Sequence, residues 1–158
     1  MLNNLRAFFK SFIYAFRGIT VAILTQRNLR FHIVAMIYVC VLSLFYNLSK
    51  YEYMILTIIF VLVISLELVN TAIESVVDLC SPKYNKLAEI SKNCAAGAVL
   101  VSAIGAVIIG ILMFGDVGVI KDILNYYREH KIYLFGMVIF TAISVMFVNY
   151  PFRKMKGK

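Results

Sequence analysis

The chain alternates long apolar runs with short polar segments. Predominantly apolar runs cover residues 31–48, 53–79, 94–114 and 132–150, which are 18, 27, 21 and 19 residues long. The hydrocarbon core of a bilayer is about 30 Å thick and takes about 20 apolar residues to cross as a helix. The four runs therefore predict four transmembrane helices.

The segment before the first run has a different pattern and predicts a surface helix over residues 2–28. Its apolar residues recur every three or four positions: Leu2, Leu5, Phe9, Phe12, Phe16, Ile19 and Ile23. Arg6, Lys10 and Arg17 share another face of the same helix. This pattern is typical of a helix that lies in the headgroup plane, with its cationic edge toward anionic lipid. Because basic residues interrupt the segment throughout, it is not a cleavable signal peptide.

Composition supports the membrane interpretation. Of the 158 residues, 62% are apolar and only 15% are charged, whereas soluble domains have about 45–50% and about 25%. The chain is also too short to carry a soluble catalytic domain beside four spans. We therefore predict an all-α integral membrane protein whose chemistry takes place on its helices or at their ends.

The distribution of charge predicts the topology. The net charge is +8, and 12 of the 16 basic residues lie before residue 31, between residues 80 and 93, or after residue 150. These three segments lie on one side of a four-span chain, and by the positive-inside bias that side is the cytoplasm. The sequence thus predicts a multi-pass protein of a bacterial cell membrane with both termini cytoplasmic. Residues 115–131 form an extracytoplasmic loop and residues 151–158 a basic cytoplasmic tail, and nucleic acid is not an expected partner.

One face of the second span carries polar residues. Glu67, Asn70, Glu74 and Asp78 step by three, four and four positions, which aligns them on a helix. Carboxylates in an apolar span cost several kcal/mol unless they are paired, hydrated or bound to a cation. Structural ion pairing is the alternative to a functional site, and it needs basic partners at the same depth. The other spans offer none in the sequence, so we favour a functional site.

This face suits phosphoryl transfer. A carboxylate and an amide near the interface can hold Mg²⁺ that also binds substrate phosphates. A second carboxylate seven residues away, about 10 Å along the helix, is too distant to share that ion but can accept a proton from a substrate hydroxyl. The chain has no glycine-rich phosphate loop, so side chains at helix ends must hold any nucleotide.

Three separated motifs resemble one family. They are FKSF and YAFRG at 9–12 and 14–18, QRNLRFH at 26–32, and ELVNTAIESVVDL followed by SPKYNKLAEISKNCAAGAVL at 67–79 and 81–100. Together they are similar to the small prokaryotic diacylglycerol kinases, in the branch that includes Gram-positive undecaprenol kinases. The resemblance covers about residues 5–114. It implies a surface helix and three spans in residues 1–114, assembled as a homotrimer whose active sites are shared between neighbouring protomers. The span at 132–150 is then an addition.

The resemblance also implies an activity and a set of residues. The activity is transfer of the ATP γ-phosphate to a lipid alcohol at the cytoplasmic interface, with undecaprenol favoured over diacylglycerol and Mg²⁺ as the cofactor. Glu67 is implied as the general base, with Asn70 placing the reacting groups, and Glu74 and Gln26 as metal ligands. The nucleotide residues are Tyr14, Asp78, Lys83, Tyr84, Asn85, Lys92 and Asn93, and Arg17, Asn28 and Arg30 lie near the site.

Two positions depart from the family pattern, and each departure removes a negative charge. The family has Glu where this chain has Gln26 and Asp where it has Asn93. Mg²⁺ affinity depends on ligand charge. Neutral drift in an active enzyme, a weakened or inactive relative that binds lipid or nucleotide, and a deliberate substitution all fit. A transporter is disfavoured because no inverted repeat or broken helix is visible.

Overall fold

The computed structural model describes residues 2–151, and their side chains from residue 5 onward. These residues form six helices: α1 Leu2–Thr25, α2 Arg27–Ser43, α3 Lys50–Cys80, α4 Lys86–Phe114, α5 Val117–Glu129 and α6 Lys131–Asn149. The predicted all-α class is confirmed. The predicted basic tail, apart from Pro151, lies outside the described residues. The side chain of Leu2, part of the predicted surface helix, lies outside them as well.

The hairpin of α3 and α4 is the centre of the fold. These two helices share the most extensive contact, α2 packs on α3, and α6 packs on α2. A capping box starts α3: the Ser49 backbone N–H donates to Glu52 Oε2 at 2.6 Å, and the Glu52 N–H donates to Ser49 Oγ at 3.4 Å. At the end of α4, a Cβ on Gly115 would lie 2.5 Å from the Ile111 carbonyl oxygen, so the close approach there requires glycine.

Helix length bears on which elements cross the bilayer. Within the described residues, four helices are long and apolar enough to cross: Leu5–Thr25, Lys50–Cys80, Lys86–Phe114 and Lys131–Asn149. The 17 residues of α2 measure about 26 Å, slightly less than the hydrocarbon core. Length and composition therefore do not decide whether α1 crosses the bilayer or lies on its surface. That α1 lies in the headgroup plane and α2 crosses stays a prediction, based on the basic face of α1.

Side-chain contacts define two ends of the bundle. At one end Arg30 of α2 donates to the Val148 carbonyl at the end of α6, at 3.0 Å. At the other end the Tyr46 hydroxyl, just after α2, donates to the Phe114 carbonyl at the end of α4, at 2.7 Å. The α1–α2 break, the α3–α4 turn and the end of α6 thus lie together, as the distribution of basic residues predicts.

The connection between α4 and α6 differs from the predicted loop, because most of it is the helix α5. Asp116 Oδ1 starts this helix by accepting the N–H groups of Gly118 at 2.7 Å and Val119 at 3.3 Å. Val117, Ile120 and Leu124 repeat three and four residues apart, but this short pattern is masked by the charges around it. The segment is therefore a capped amphipathic helix rather than irregular chain.

Candidate active site

The polar face of α3 runs from the interior of the bundle to its exposed end. The 12 residues from Glu67 to Asp78 cover about 16 Å of helix. Glu67 is 2% exposed, Asn70 is 8% exposed and Glu74 is half-buried. The Asp78 side chain is 68% exposed. One rigid helix therefore presents carboxylates in both a dry and a wet environment.

Glu67 is the most buried acid of the described chain. His32 of α2 places its Nε2 atom 3.2 Å from Glu67 Oε1. The ring N–H is not aligned as a hydrogen bond, so Oε1 is left without a hydrogen-bond partner within the described residues, as is Asn70 Oδ1. Buried acceptors without donors are costly, and a pair of them on one face indicates a place for a ligand that donates.

The His32 contact corrects one step of the sequence interpretation. The apolar runs offered no partner for a carboxylate at the depth of Glu67, yet α2 supplies an imidazole there. His32 is the last residue of the QRNLRFH string, six residues after Gln26. The motif therefore contained the residue that contacts Glu67. The depth of His32 relative to α3 depends on how α2 packs against α3, and the motif does not specify that packing.

Two amides hold the carboxylate of Glu74. Asn70 Nδ2 donates to Oε1 at 3.1 Å, and Gln26 Nε2 donates to Oε2 at 3.3 Å. Gln26 reaches this position because it is the extended residue between α1 and α2, with φ −103° and ψ 112°. Three of the predicted site residues are thus in direct contact.

These residues fit a divalent cation that is also bound by substrate. Within residues 5–151, no three His, Cys, Asp or Glu side chains converge on one point. Within the described residues each Glu74 oxygen accepts one side-chain hydrogen bond and keeps a further lone pair, and a turned Gln26 amide would present its oxygen to the same place. Mg²⁺ commonly takes one or two protein oxygens and completes its shell with phosphates and water.

The exposed end of the face carries an ion pair between α3 and α4. Lys92 Nζ donates to Asp78 Oδ1, and the Lys92 side chain is 35% exposed. In the turn between these helices, Asn85 Oδ1 accepts the Leu87 N–H at 2.8 Å and starts α4. The Tyr84 hydroxyl donates to Glu89 Oε2 at 2.9 Å. Sequence reasoning did not single out Glu89.

Several other predicted residues form no hydrogen bond or ion pair with this face among the described residues. Tyr14 is 63% exposed on α1. Arg17, Asn28, Lys83 and Asn93 are also exposed. Arg30, in contrast, is 4% exposed and donates to backbone carbonyls at the ends of α1 and α6. Its place beside the site stays a prediction, while its contacts with these carbonyls join helix ends.

An apolar groove leads to the buried end of the face. It has a volume of about 330 Å³ and lies between α2, α3 and α4, with Phe60, Val63 and Val107 among its walls. Of the described residues that line it, His32 alone has a polar side chain. The groove thus offers hydrocarbon contacts along its length and one polar group, which touches Glu67.

Comparisons with known proteins show which sequences this chain is similar to. The sequence profile described as prokaryotic diacylglycerol kinase matches residues 13–114. The undecaprenol kinase of Bacillus subtilis (strain 168) is 46% identical over 112 residues, which cover 71% of this chain and 91% of that enzyme. The diacylglycerol kinase of Synechocystis sp. is 46% identical over 101 residues, covering 63% of this chain and 58% of that enzyme. The diacylglycerol kinase of Escherichia coli (strain K12) is 30% identical over 111 residues, covering 68% and 91%. No solved structure matches.

Proposed function

This chain belongs to the prokaryotic diacylglycerol kinase family and is an ATP-dependent lipid kinase, and from that premise we propose that it phosphorylates undecaprenol. The observation that carries the proposal is the buried Glu67 oxygen without a hydrogen-bond partner, beside an apolar groove. A lipid alcohol entering the groove with its hydroxyl foremost would supply the missing donor. Diacylglycerol is the second candidate substrate.

The groove supports the preference for undecaprenol. Its described walls offer one polar side chain, His32, which is sufficient for a chain with a single hydroxyl head. Diacylglycerol also carries two ester groups, and buried polar groups without partners cost free energy. The undecaprenol kinase of Bacillus subtilis supports the same substrate, because it combines 46% identity with 91% coverage, whereas the diacylglycerol kinases match at lower identity or over less of their length.

In the proposed reaction Glu67 takes the proton of the lipid hydroxyl. The hydroxyl oxygen attacks the γ-phosphorus of ATP, the bond from that phosphorus to the β-phosphate oxygen breaks, and ADP leaves. Asn70 lies between Glu67 and Glu74 and orients the reacting groups. Such transfer depends mainly on positioning and charge neutralisation, so it needs few catalytic side chains.

We assign the nucleotide to the exposed end of the face. Mg²⁺ held by Glu74 and Gln26 would neutralise phosphate charge there. Lys92, already fixed by Asp78, would bind phosphate oxygens, and Tyr14 and the turn residues Lys83, Tyr84 and Asn85 would surround the nucleotide. Asn93 follows Lys92 on the same helix.

We further propose a homotrimer in which neighbouring protomers complete each site. The supporting observation is that Tyr14, Arg17, Asn28 and Asn93 are exposed in the single chain. Native mass spectrometry of the purified protein should give three chains per particle. A monomer with full activity would refute this assembly.

The orientation in the bacterial cytoplasmic membrane is also a proposal, with the kinase site and both termini inside. It can be tested in a chain whose native cysteines are replaced by serine, with Asp122→Cys on α5 or Tyr84→Cys in the α3–α4 turn. A membrane-impermeant maleimide should label the first variant in intact cells and the second only after lysis. The reverse labelling would show that the orientation is wrong.

The activity is tested by phosphate transfer from labelled ATP. With Mg²⁺, the purified chain should phosphorylate undecaprenol faster than diacylglycerol. Glu67→Gln and Glu74→Gln should each lower the rate by at least about 100-fold, as expected for a lost base or metal ligand. Glu52→Gln is the matched control, because Glu52 starts the same helix at the opposite end, and it should retain activity. Equal loss in all three variants would contradict the assignment.

The second candidate is a weakened or inactive family member, and the Gln26 contact favours it. An amide donates to Glu74 where the family has an acid, so the site has one negative charge fewer. If the chain as it stands transfers no phosphate to either lipid, while Gln26→Glu combined with Asn93→Asp does, this alternative is correct. A nucleotide-binding measurement would then show ATP binding with weak dependence on Mg²⁺.

A further inference from the structure

A single buried side chain joins the end of α6 to the break between α1 and α2. Arg30 Nε and Nη2 donate to the Val148 carbonyl at 3.3 and 3.0 Å, and Nη2 also donates to the Tyr150 carbonyl at 3.3 Å. Nη1 donates to the carbonyls of Ile23 at 2.9 Å and Leu24 at 3.4 Å. One guanidinium therefore binds the last turns of two helices.

The chemistry of helix ends explains this arrangement. The last four carbonyls of a helix lack partners within the helix and carry partial negative charge. A guanidinium has five N–H donors in a rigid fork and satisfies several such carbonyls at once. Arg30 is 4% exposed, so these contacts are shielded from water.

Further contacts hold α6 along α2. The Tyr38 hydroxyl donates to Thr141 Oγ1 at 2.8 Å. Ser144 and Val148 are 6% and 9% exposed, and with Thr141 they follow three- and four-residue steps on one face of α6. Val145, next to Ser144, is 56% exposed on another face. α6 therefore packs against α2 through one of its faces, over about two helical turns.

The backbone of Gln26 lies between the parts that Arg30 joins. Its N–H donates to the Ala22 carbonyl at 2.8 Å, and its carbonyl accepts the Arg30 N–H at 3.4 Å. The Gln26 side chain donates to Glu74. Movement of the α1 end relative to α2 would therefore move the Gln26 amide relative to Glu74.

We propose that α6 is a positioning element of the active site, and that Arg30 is the positioning residue through which it holds Gln26 against Glu74. The family profile ends at residue 114, so α6 lies outside the matched residues while Arg30 and Gln26 lie within them. The catalytic consequence rests on the proposed role of Glu74, whereas the coupling between α6 and the α1–α2 break does not.

Hydrogen exchange of the backbone amides of residues 22–31 measures the coupling directly. Arg30→Lys keeps the charge but loses the fork, so exchange there should become about tenfold faster, the change given by one lost charge-assisted hydrogen bond. Arg27→Lys is the matched control, because Arg27 is exposed on the same turn of α2. Exchange at residues 22–31 should be unchanged in this variant. Equal exchange in the two variants would overturn the proposal.

A second pair perturbs α6 from its own side. Ser144→Phe places a large ring between α6 and α2, whereas Val145→Phe places the same ring on the exposed face. The first should accelerate exchange at residues 22–31 and raise the KM for MgATP about tenfold, while kcat and the KM for the lipid hold. A general loss of folding would instead lower the apparent kcat and leave both KM values unchanged, because only the active fraction falls, and that result would count against a positioning role.

The inference and the proposed function can fail separately. Thr141→Val keeps the side-chain shape and removes one hydrogen bond between α6 and α2, so it serves as a substitute if Arg30→Lys or Ser144→Phe does not fold. Unchanged exchange at residues 22–31 in Thr141→Val would overturn the coupling. If exchange responds as expected but the wild-type chain phosphorylates no lipid, only the proposed function fails. If phosphorylation is normal but exchange at residues 22–31 ignores α6, only this inference fails.

Discussion

Replacing Gln26 by Glu should make the folded protein depend on a divalent cation. In the present chain the Gln26 amide donates to Glu74 Oε2 at 3.3 Å, an arrangement that stabilises one carboxylate without metal. Gln26→Glu turns this attraction into repulsion between two carboxylates of nearly unchanged shape. Only a bound cation or proton can then relieve the pair.

The size of the effect follows from the distance. Two unit charges 3.3 Å apart repel by about 5 kcal/mol at an effective dielectric constant of 20, and by about 3 kcal/mol after both side chains relax to about 5 Å. For a chain of this length 1 kcal/mol corresponds to about 2–4 °C in Tm. The variant should therefore unfold roughly 6–12 °C lower than wild type in EDTA, and most of that loss should be recovered in millimolar Mg²⁺.

Thermal unfolding in detergent, with and without Mg²⁺, provides the assay. Gln26→Met is the neutral control and should show no such Mg²⁺ dependence. The double variant Gln26→Glu with Glu74→Gln removes the repulsion, so its Tm in EDTA should return toward that of the wild type. A Gln26→Glu chain as stable as wild type in EDTA would show that these two side chains do not meet, and the proposed metal position would be wrong.

Three further predictions concern contacts along α2 and α3. His32→Leu should slow lipid phosphorylation about tenfold by removing the polar neighbour of Glu67, whereas Met36→Leu, in the same groove, should not. Equal rates in the two variants would show that the His32 contact does not contribute to phosphorylation. Lys92→Met and Asp78→Asn should each raise the KM for ATP, with at most about 1 kcal/mol of coupling in a double-mutant cycle because the pair is partly exposed, and an unchanged KM in both variants would exclude the pair from nucleotide binding. Ser49→Ala should cost about 1 kcal/mol in chemical denaturation with unchanged kinetics, and a kinetic effect would show that the start of α3 influences the distant site.

The helices were predictable because their signals are local. The apolar runs and the three- and four-residue steps of the acidic face each lie within one continuous segment. The predicted surface helix 2–28 and span 31–48 differ from α1 and α2 at their common boundary, which the structure places at Gln26. The helix α5 was missed because its 13 residues are polar on average, so they were interpreted only as a connection between two spans, although their pattern is strongly amphipathic.

The contacts of the site were less predictable because they join separate helices. The family resemblance assigned Gln26 and Glu74 to one metal site, and the structure brings them into contact across 48 residues of chain. No pattern within a single helix could place His32 against Glu67 or Arg30 against the end of α6. Those pairings depend on the relative depth and rotation of packed helices, which hydrophobic periodicity leaves undetermined.

The graded exposure of one helix face provides a physical route for joining a membrane-bound alcohol to a water-soluble nucleotide. Glu67 lies beside a groove that hydrocarbon can enter, and Asp78 lies about 16 Å away where water and ATP have access. Neither substrate needs to leave its own medium if the reacting atoms meet between these positions. Asn70 and Glu74 occupy that middle stretch, and Gln26 contacts it from the α1–α2 break. Small changes in the position of Gln26 should therefore affect transfer more than equal changes at either end of the face.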